Sequence, residues 1–148
     1  LKKADCPSLY AGSNANKPFS SADCIVYRLG ETYLISAEID WRLGQLGEAK
    51  NRLNTLRNRS CMNHDHSMDI QESDITEDFL LDEYAREMIG EWNRWMTLKR
   101  FRAFESRIQK CNPQIKEGAF KQNYYLRPIP DAAILLIDNG QEYQNPGY

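Results

Sequence analysis

Three groups of residues in this sequence have types and spacings that could do chemistry. His64-Asp65-His66, with Asp69 close by and Cys61 three residues upstream, could offer two imidazoles and two carboxylates to a metal ion. Adjacent ligands suit few tetrahedral sites, and a solvated polar loop accounts for the same residues, so no metal is expected. Arg86, Glu87, Glu91 and Arg94 recur at helical intervals and have the composition of an acid–base set. Acid–base catalysis needs a cleft and perturbed pKa values. Ion pairs along one helix need only the spacing, and arginines such as Arg94 are then the expected partners of Glu87 and Glu91. The third group is aromatic. A tryptophan or tyrosine ring pairs well with the apolar face of a pyranose. Trp41, Trp92 and Trp95 fall on helical stripes, where aromatics pack in cores. Tyr10, Tyr124, Tyr125 and Tyr143 fall in loop or extended segments and are the candidate ligand-binding residues.

The whole chain narrows these readings. It has 148 residues, enough for one domain with a continuous core. With 41% hydrophobic and 27% charged residues it has an ordinary globular composition. A formal net charge of −2 gives no basic field for a nucleic-acid backbone. The longest apolar run, Ala132 to Ile137, is far shorter than the roughly 20 residues of a membrane helix. The chain opens Leu1-Lys2-Lys3 and reaches no apolar signal region. It is therefore either cytoplasmic or an internal part of a longer protein whose targeting segment lies upstream. Cys6, Cys24, Cys61 and Cys111 form no CxxC pair. A disulfide between Cys6 and Cys24 and burial as small apolar side chains both remain open. No Gly-rich phosphate loop, GxSxG elbow or HExxH occurs, so no catalytic residue is assigned, and nothing calls for a cofactor.

The elements that position these groups follow from periodicity. Residues 1 to about 22, with Pro7, Gly12 and Pro18, have loop composition. A helix is expected from Ser21–Asp23, with a stripe through Ile25, Leu29, Thr32, Tyr33, Ser36, Ala37, Asp40 and Trp41. Gly44 suits a left-handed C-cap. A second helix carries Ala49, Leu53 and Leu56, and so short a turn makes the pair an antiparallel hairpin over residues 23–60. Residues 60–73 are polar loop. A long helix starting near Ser73 or Asp74 runs through Phe79, Leu80, Tyr84, Met88, Ile89, Trp92, Trp95, Met96 and Leu98 toward Phe101, within a helical region spanning 74–112. Pro128-Ile129-Pro130 forces an extended segment in a Pro-rich tail, 123–148. Asp131 can cap a short helix, Ala132 to Ile137, and Tyr148 is expected to dock on the body. The fold class expected is mainly α, a tetratricopeptide-like hairpin plus a long helix with an extended, loop-rich C-terminal tail.

Three passages together resemble the SusD/RagB family of outer-membrane nutrient-binding lipoproteins. The first contains Arg28-Leu29, Ala37-Glu38, Leu43-Gly44, Ala49, Leu53-Asn54 and Arg57-Asn58-Arg59. The second contains Arg86-Glu87, Glu91, Arg94-Trp95 and Leu98-Lys99-Arg100, and departs from the family where Trp92 and Thr97 replace the usual Gly and Asp. The third runs from Leu126-Arg127-Pro128-Ile129-Pro130 to the terminal Gln144-Asn145-Pro146-Gly147-Tyr148. The resemblance covers roughly residues 24 to 148, the C-terminal region of such a protein.

It implies a non-catalytic protein on a Bacteroidetes-type outer membrane that captures glycans, or peptides in some members. The implied partner is a TonB-dependent, SusC-like transporter, and the membrane is met only through a lipid anchor lying upstream of this chain. A rival expectation is a tetratricopeptide-type scaffold for a peptide or protein, with Tyr33, Trp41 and Leu53 lining its groove.

Overall fold

The computed structural model describes residues 26–148 apart from Trp92. The expected helix start at Ser21–Asp23, the Cys6–Cys24 pairing, Tyr10 and Trp92 lie outside the described residues. Six α-helices and short 3-10 turns make up the described chain, which contains no strand. The fold is mainly helical. It divides into two compact units, residues 1–94 and residues 95–148.

In the first unit, α1 (Leu29–Arg42) and α2 (Leu46–Ser60) form the expected hairpin. At the turn Gly44 adopts φ +76°. The Gln45 and Gly44 N–H groups donate to the Asp40 and Trp41 carbonyls at 2.8 and 3.0 Å, the paired bonds that close a helix around a left-handed residue. α2 buries Ala49, Leu53 and Leu56 as its apolar period predicts. The buried face of α1 differs from the expected stripe. It consists of Gly30, Leu34, Ala37, Glu38 and Asp40, while Leu29 is 70% exposed. Two carboxylates can occupy that face because each meets a partner there: Glu38 accepts from the Tyr84 hydroxyl at 3.0 Å, and Asp40 accepts from Arg52. Leu34, Leu53, Leu80 and Leu81 are fully buried, and truncating any one of them would cost about 2–5 kcal/mol.

The long helix expected from Ser73 or Asp74 toward Phe101 is two helices, α3 (Glu77–Glu87) and α4 (Arg94–Arg100), and the rest of the helical region forms a separate helix, α5 (Phe104–Cys111). Two backbone positions cause the breaks. Gly90 takes φ +78°, and Arg102 takes φ +52°. After α4 the Arg102 and Ala103 N–H groups donate to the Lys99 and Leu98 carbonyls, the same closure as at Gly44 but with an arginine in the left-handed place. The breaks shift the helical phase, so Ile89 and Met96 are 52% and 60% exposed rather than in the core. α3 also starts later than expected, because Thr76 is its N-cap and accepts from the Phe79 N–H at 3.1 Å. Asp74 instead accepts from the Gln71 N–H at 2.8 Å, at the start of a 3-10 turn, Glu72–Asp74.

The second unit holds α5, a 3-10 turn at Gln122–Tyr125, the short helix α6 (Asp131–Ile134) and a last turn at Gly140–Tyr143. Asp131 is the first residue of α6 rather than its cap; Pro130 precedes it and supplies the fixed φ of −56°. The extended segment 127–130 has no neighbouring strand, so its polar backbone needs side-chain partners. The terminal residues provide them. The Gln144 carboxamide accepts from the Ile129 N–H at 2.8 Å and donates to the Ile129 carbonyl at 3.0 Å. Asn145 donates to the Arg127 carbonyl at 2.6 Å, and the Tyr148 hydroxyl donates to the Leu126 carbonyl at 2.9 Å. Tyr148, expected to dock on the body, instead meets the start of the tail itself through its hydroxyl and stays 48% exposed.

This pairing predicts an asymmetric response at one atom. Gln144→Glu keeps an acceptor for the Ile129 N–H but sets a carboxylate against the Ile129 carbonyl. An unmade bond to that half-buried group should lower stability by roughly 1–3 kcal/mol in urea unfolding at pH 7. Unchanged stability would mean the carboxamide pair contributes nothing.

Candidate functional site

Of the acid–base set, Arg86 and Glu87 lie on α3, Glu91 lies between α3 and α4, Arg94 opens α4, and Glu87 ties helices together. Glu87 accepts from Arg28, the residue preceding α1, and from Arg59 of α2 at 2.7 Å. Arg28 also reaches Glu91 at 2.9 Å and the Glu87 carbonyl. Arg94 donates to the Leu81 carbonyl at 2.8 Å, and Arg86 pairs with Glu83 at 2.6 Å. Glu83 is buried and also meets Arg57. Gly30 gives the guanidinium of Arg28 its place, because a Cβ there would collide with both Arg28 and the Glu87 carboxylate. Burial pushes the Glu87 carboxyl up, but the hydrogen bonds and charges of Arg28 and Arg59 outweigh it and hold the pKa below its ordinary value. A carboxylate so held stays charged at neutral pH and is a fixed counter-ion, not a proton shuttle.

The histidine loop divides its side chains among different partners. His64 Nδ1 meets the Asn58 carbonyl at 2.8 Å, and His66 Nδ1 meets Asp69 at 3.1 Å. Asp65, exposed on the loop, accepts from the Ser67 N–H and the Cys61 thiol, both at 3.1 Å. Hydrogen bonds from the Ser67 side chain first, then the Cys61 thiol and the Ser67 N–H, hold its carboxyl well below the usual carboxylate range. No group of three metal-ligating side chains converges among the described residues. Cys61 is a buried free thiol and Cys111 an exposed one.

The face of α2 is largely met by the chain's own loop. Asn54 accepts from the Ile70 N–H at 2.9 Å and donates to the Ile70 carbonyl at 3.2 Å, and Arg57 donates to the Met68 carbonyl at 2.6 Å. A remaining polar depression of about 520 Å³ lies there, lined by Asn51, Asn54, Thr55, Asn58, His66 and Asp69 among others. The groove expected of a peptide scaffold, over Tyr33, Trp41 and Leu53, does not form: Leu53 is fully buried.

The aromatic residues of the second unit converge. Phe104 and Phe120 stack at 5.6 Å, and Tyr125 packs edge-on to both, at 5.1 and 5.2 Å. Tyr124 packs edge-on to Phe120 at 5.6 Å. Trp95 lies 5.8 Å from Phe104 and carries Arg127 at 4.3 Å and Lys99 at 5.0 Å on its ring. It is neither core nor an open sugar platform. Of the four candidate tyrosines, Tyr124 and Tyr125 come together, and Tyr143 stands apart on the last turn, 63% exposed. Beside Tyr125 an open groove of about 470 Å³ runs along α5, lined by Arg102, Glu105, Ser106, Gln109, Gln122 and Tyr125. Sequence reasoning missed the α5 residues, although 102, 105, 106 and 109 have the i, i+3, i+4, i+7 spacing of one helical face.

The family model described as "SusD family" matches residues 4–148. The chain belongs to the SusD family. The starch-binding protein SusD of Bacteroides thetaiotaomicron is 33% identical over 140 residues, covering 89% of this chain and 24% of that protein. The chain thus spans about a quarter of the length of the curated relative it matches. No solved structure matches it. SusD-family proteins are non-catalytic binding proteins, generally surface-exposed outer-membrane lipoproteins. The residues that carried the family resemblance acquire physical roles here. Arg28 from the first passage and Glu87 and Glu91 from the second are partners in one charged tie, Arg57 and Arg86 from the same two passages meet on Glu83, and Gln144, Asn145 and Tyr148 clamp the Pro-Ile-Pro segment.

Because the folded-state pKa of Glu87 lies below the unfolded value of about 4.3, its contribution is present above that pH and fades as pH falls through the folded pKa. Glu87→Gln should therefore flatten the fall in unfolding free energy on acidification below about pH 4.3. An unaltered acid limb in the variant would remove Glu87 from the tie.

Proposed function

We propose that residues 1–148 are the C-terminal part of a cell-surface protein that captures neutral glycans and passes them to a TonB-dependent, SusC-like transporter without cleaving them. The observation carrying this reading is the family match across residues 4–148, together with a relative named for starch binding. The location that follows from family membership is the outer membrane. Starch-type glucans are the first glycans to test, and Tyr124, Tyr125 and Tyr143 are the candidate contact residues among the described tyrosines.

The geometry is in keeping with a binding role. The charged side chains of α3 are held as counter-ions, and the irregular segments are fastened to helices, so the surface is presented by a rigid support. A tetratricopeptide-type scaffold for peptides is the second reading. The depression beside α2 favours it, and the cis pairing of Ile70 with Asn54, which fills part of that face, weighs against it.

An array carrying oligosaccharides and extended peptides separates the two. The full-length protein containing this chain is expected to retain neutral glycans and release them with unchanged length. Retention of peptides with no glycan retained would replace glycan capture by the scaffold reading.

A further inference from the structure

We propose that the groove along α5 is a saccharide-contact site within this chain, taking one or two neutral pyranose units of a longer glycan. The inference rests on the glycan-capture reading and assigns it a place. Four of the lining residues, Arg102, Glu105, Ser106 and Gln109, share one face of the helix and its preceding turn; Gln122 and Tyr125 complete the lining from the 3-10 turn. The volume of about 470 Å³ falls within the roughly 300–1,000 Å³ of small-ligand sites.

The lining selects the ligand. Glu105, Gln109, Gln122 and the Tyr125 hydroxyl make no hydrogen bond to other described residues, so their donors and acceptors are available. Two carboxamides and a carboxylate offer paired donors and acceptors of the kind that hydroxyl-rich ligands engage. Ser106 is partly engaged, donating to the Ala103 carbonyl at 3.4 Å. Arg102 and Glu105 cancel in charge, which favours a neutral ligand over a phosphate or a uronate. Tyr125 lines the groove with a ring fixed in place by Phe104 and Phe120, so it is a wall of the groove and not an open stacking platform. Arg102 lies over that ring at 5.8 Å and is held at φ +52°, a conformation that disfavours arginine and that clusters at ligand sites. An extended peptide would find no apolar pocket here for its side chains.

The groove is open, so contact is weak singly and adds to the hold on a chain already bound elsewhere. Hydrogen–deuterium exchange of the full-length protein, with maltoheptaose, cellohexaose and xylohexaose as probes, reads the site directly. At a probe concentration about ten times Kd, exchange across residues 104–125 should slow about tenfold with at least one of them. Glu105→Ala with Gln109→Ala, on the exposed face of a helix that tolerates alanine, should abolish that slowing and leave protection elsewhere intact. Protection only outside residues 104–125 overturns this site and leaves glycan capture standing. Protection nowhere overturns both. Slowing of this segment by an extended peptide and by none of the three sugars overturns the saccharide assignment.

Discussion

Extended backbone outside a sheet must find hydrogen-bond partners, and in this chain carboxamide and guanidinium side chains supply them. Asn54 pairs with both polar groups of Ile70 as a neighbouring strand would, and Gln144 does the same for Ile129. Arg57 takes the Met68 carbonyl and Asn145 the Arg127 carbonyl. With no strand among the described residues, these bonds turn long irregular segments into ordered surface. Each unit uses the device separately: the first to lay the 61–76 loop on α2, the second to fold the terminal segment back on the Pro-Ile-Pro stretch.

The charged residues complete the same arrangement. Arg28 and Arg59 converge on Glu87, and Arg57 and Arg86 converge on Glu83, so the three helices of the first unit are joined by half-buried ion pairs as well as by leucines. Such pairs are costly to break singly because the remaining charge is left in a poorly solvated place. They contribute specificity of packing, and they remove from consideration the carboxylates whose spacing looked catalytic. A family of binding proteins needs a scaffold of this kind: fixed, polar where it meets water, and able to present loops.

Apolar periodicity made α2 legible, because Ala49, Leu53 and Leu56 are its buried residues and nothing competes with them. The inner face of α1 was not legible. Gly30 and Glu38 lie off the expected stripe and are buried where Glu87 and Tyr84, distant in sequence, come to them, and Asp40, which lies on the stripe, is paired there by Arg52. The long helix failed at Gly90, one glycine in a strong pattern, and the stop before α5 falls at Arg102, whose left-handed backbone has no signature in its residue type. The family motifs were readable as words but not as a sentence: Arg28 and Glu87 stood in separate passages and turn out to be one ion pair. The α5 groove looked like any solvated helical face, since only the turn at Gln122–Tyr125 gives it a second wall. Tyr124 and Tyr125 were singled out together as loop tyrosines; both pack on Phe120, and of the two Tyr125 lines the groove.

The central claim is capture without chemistry. Affinity electrophoresis of the full-length protein through gels containing soluble polysaccharides, with the oligosaccharide products of the same mixtures sized afterwards, tests it most directly. The account predicts retarded migration on at least one neutral polysaccharide, amylopectin first, with glycan length unchanged. Unretarded migration on every neutral polysaccharide, or shortened glycan wherever migration is retarded, would contradict it.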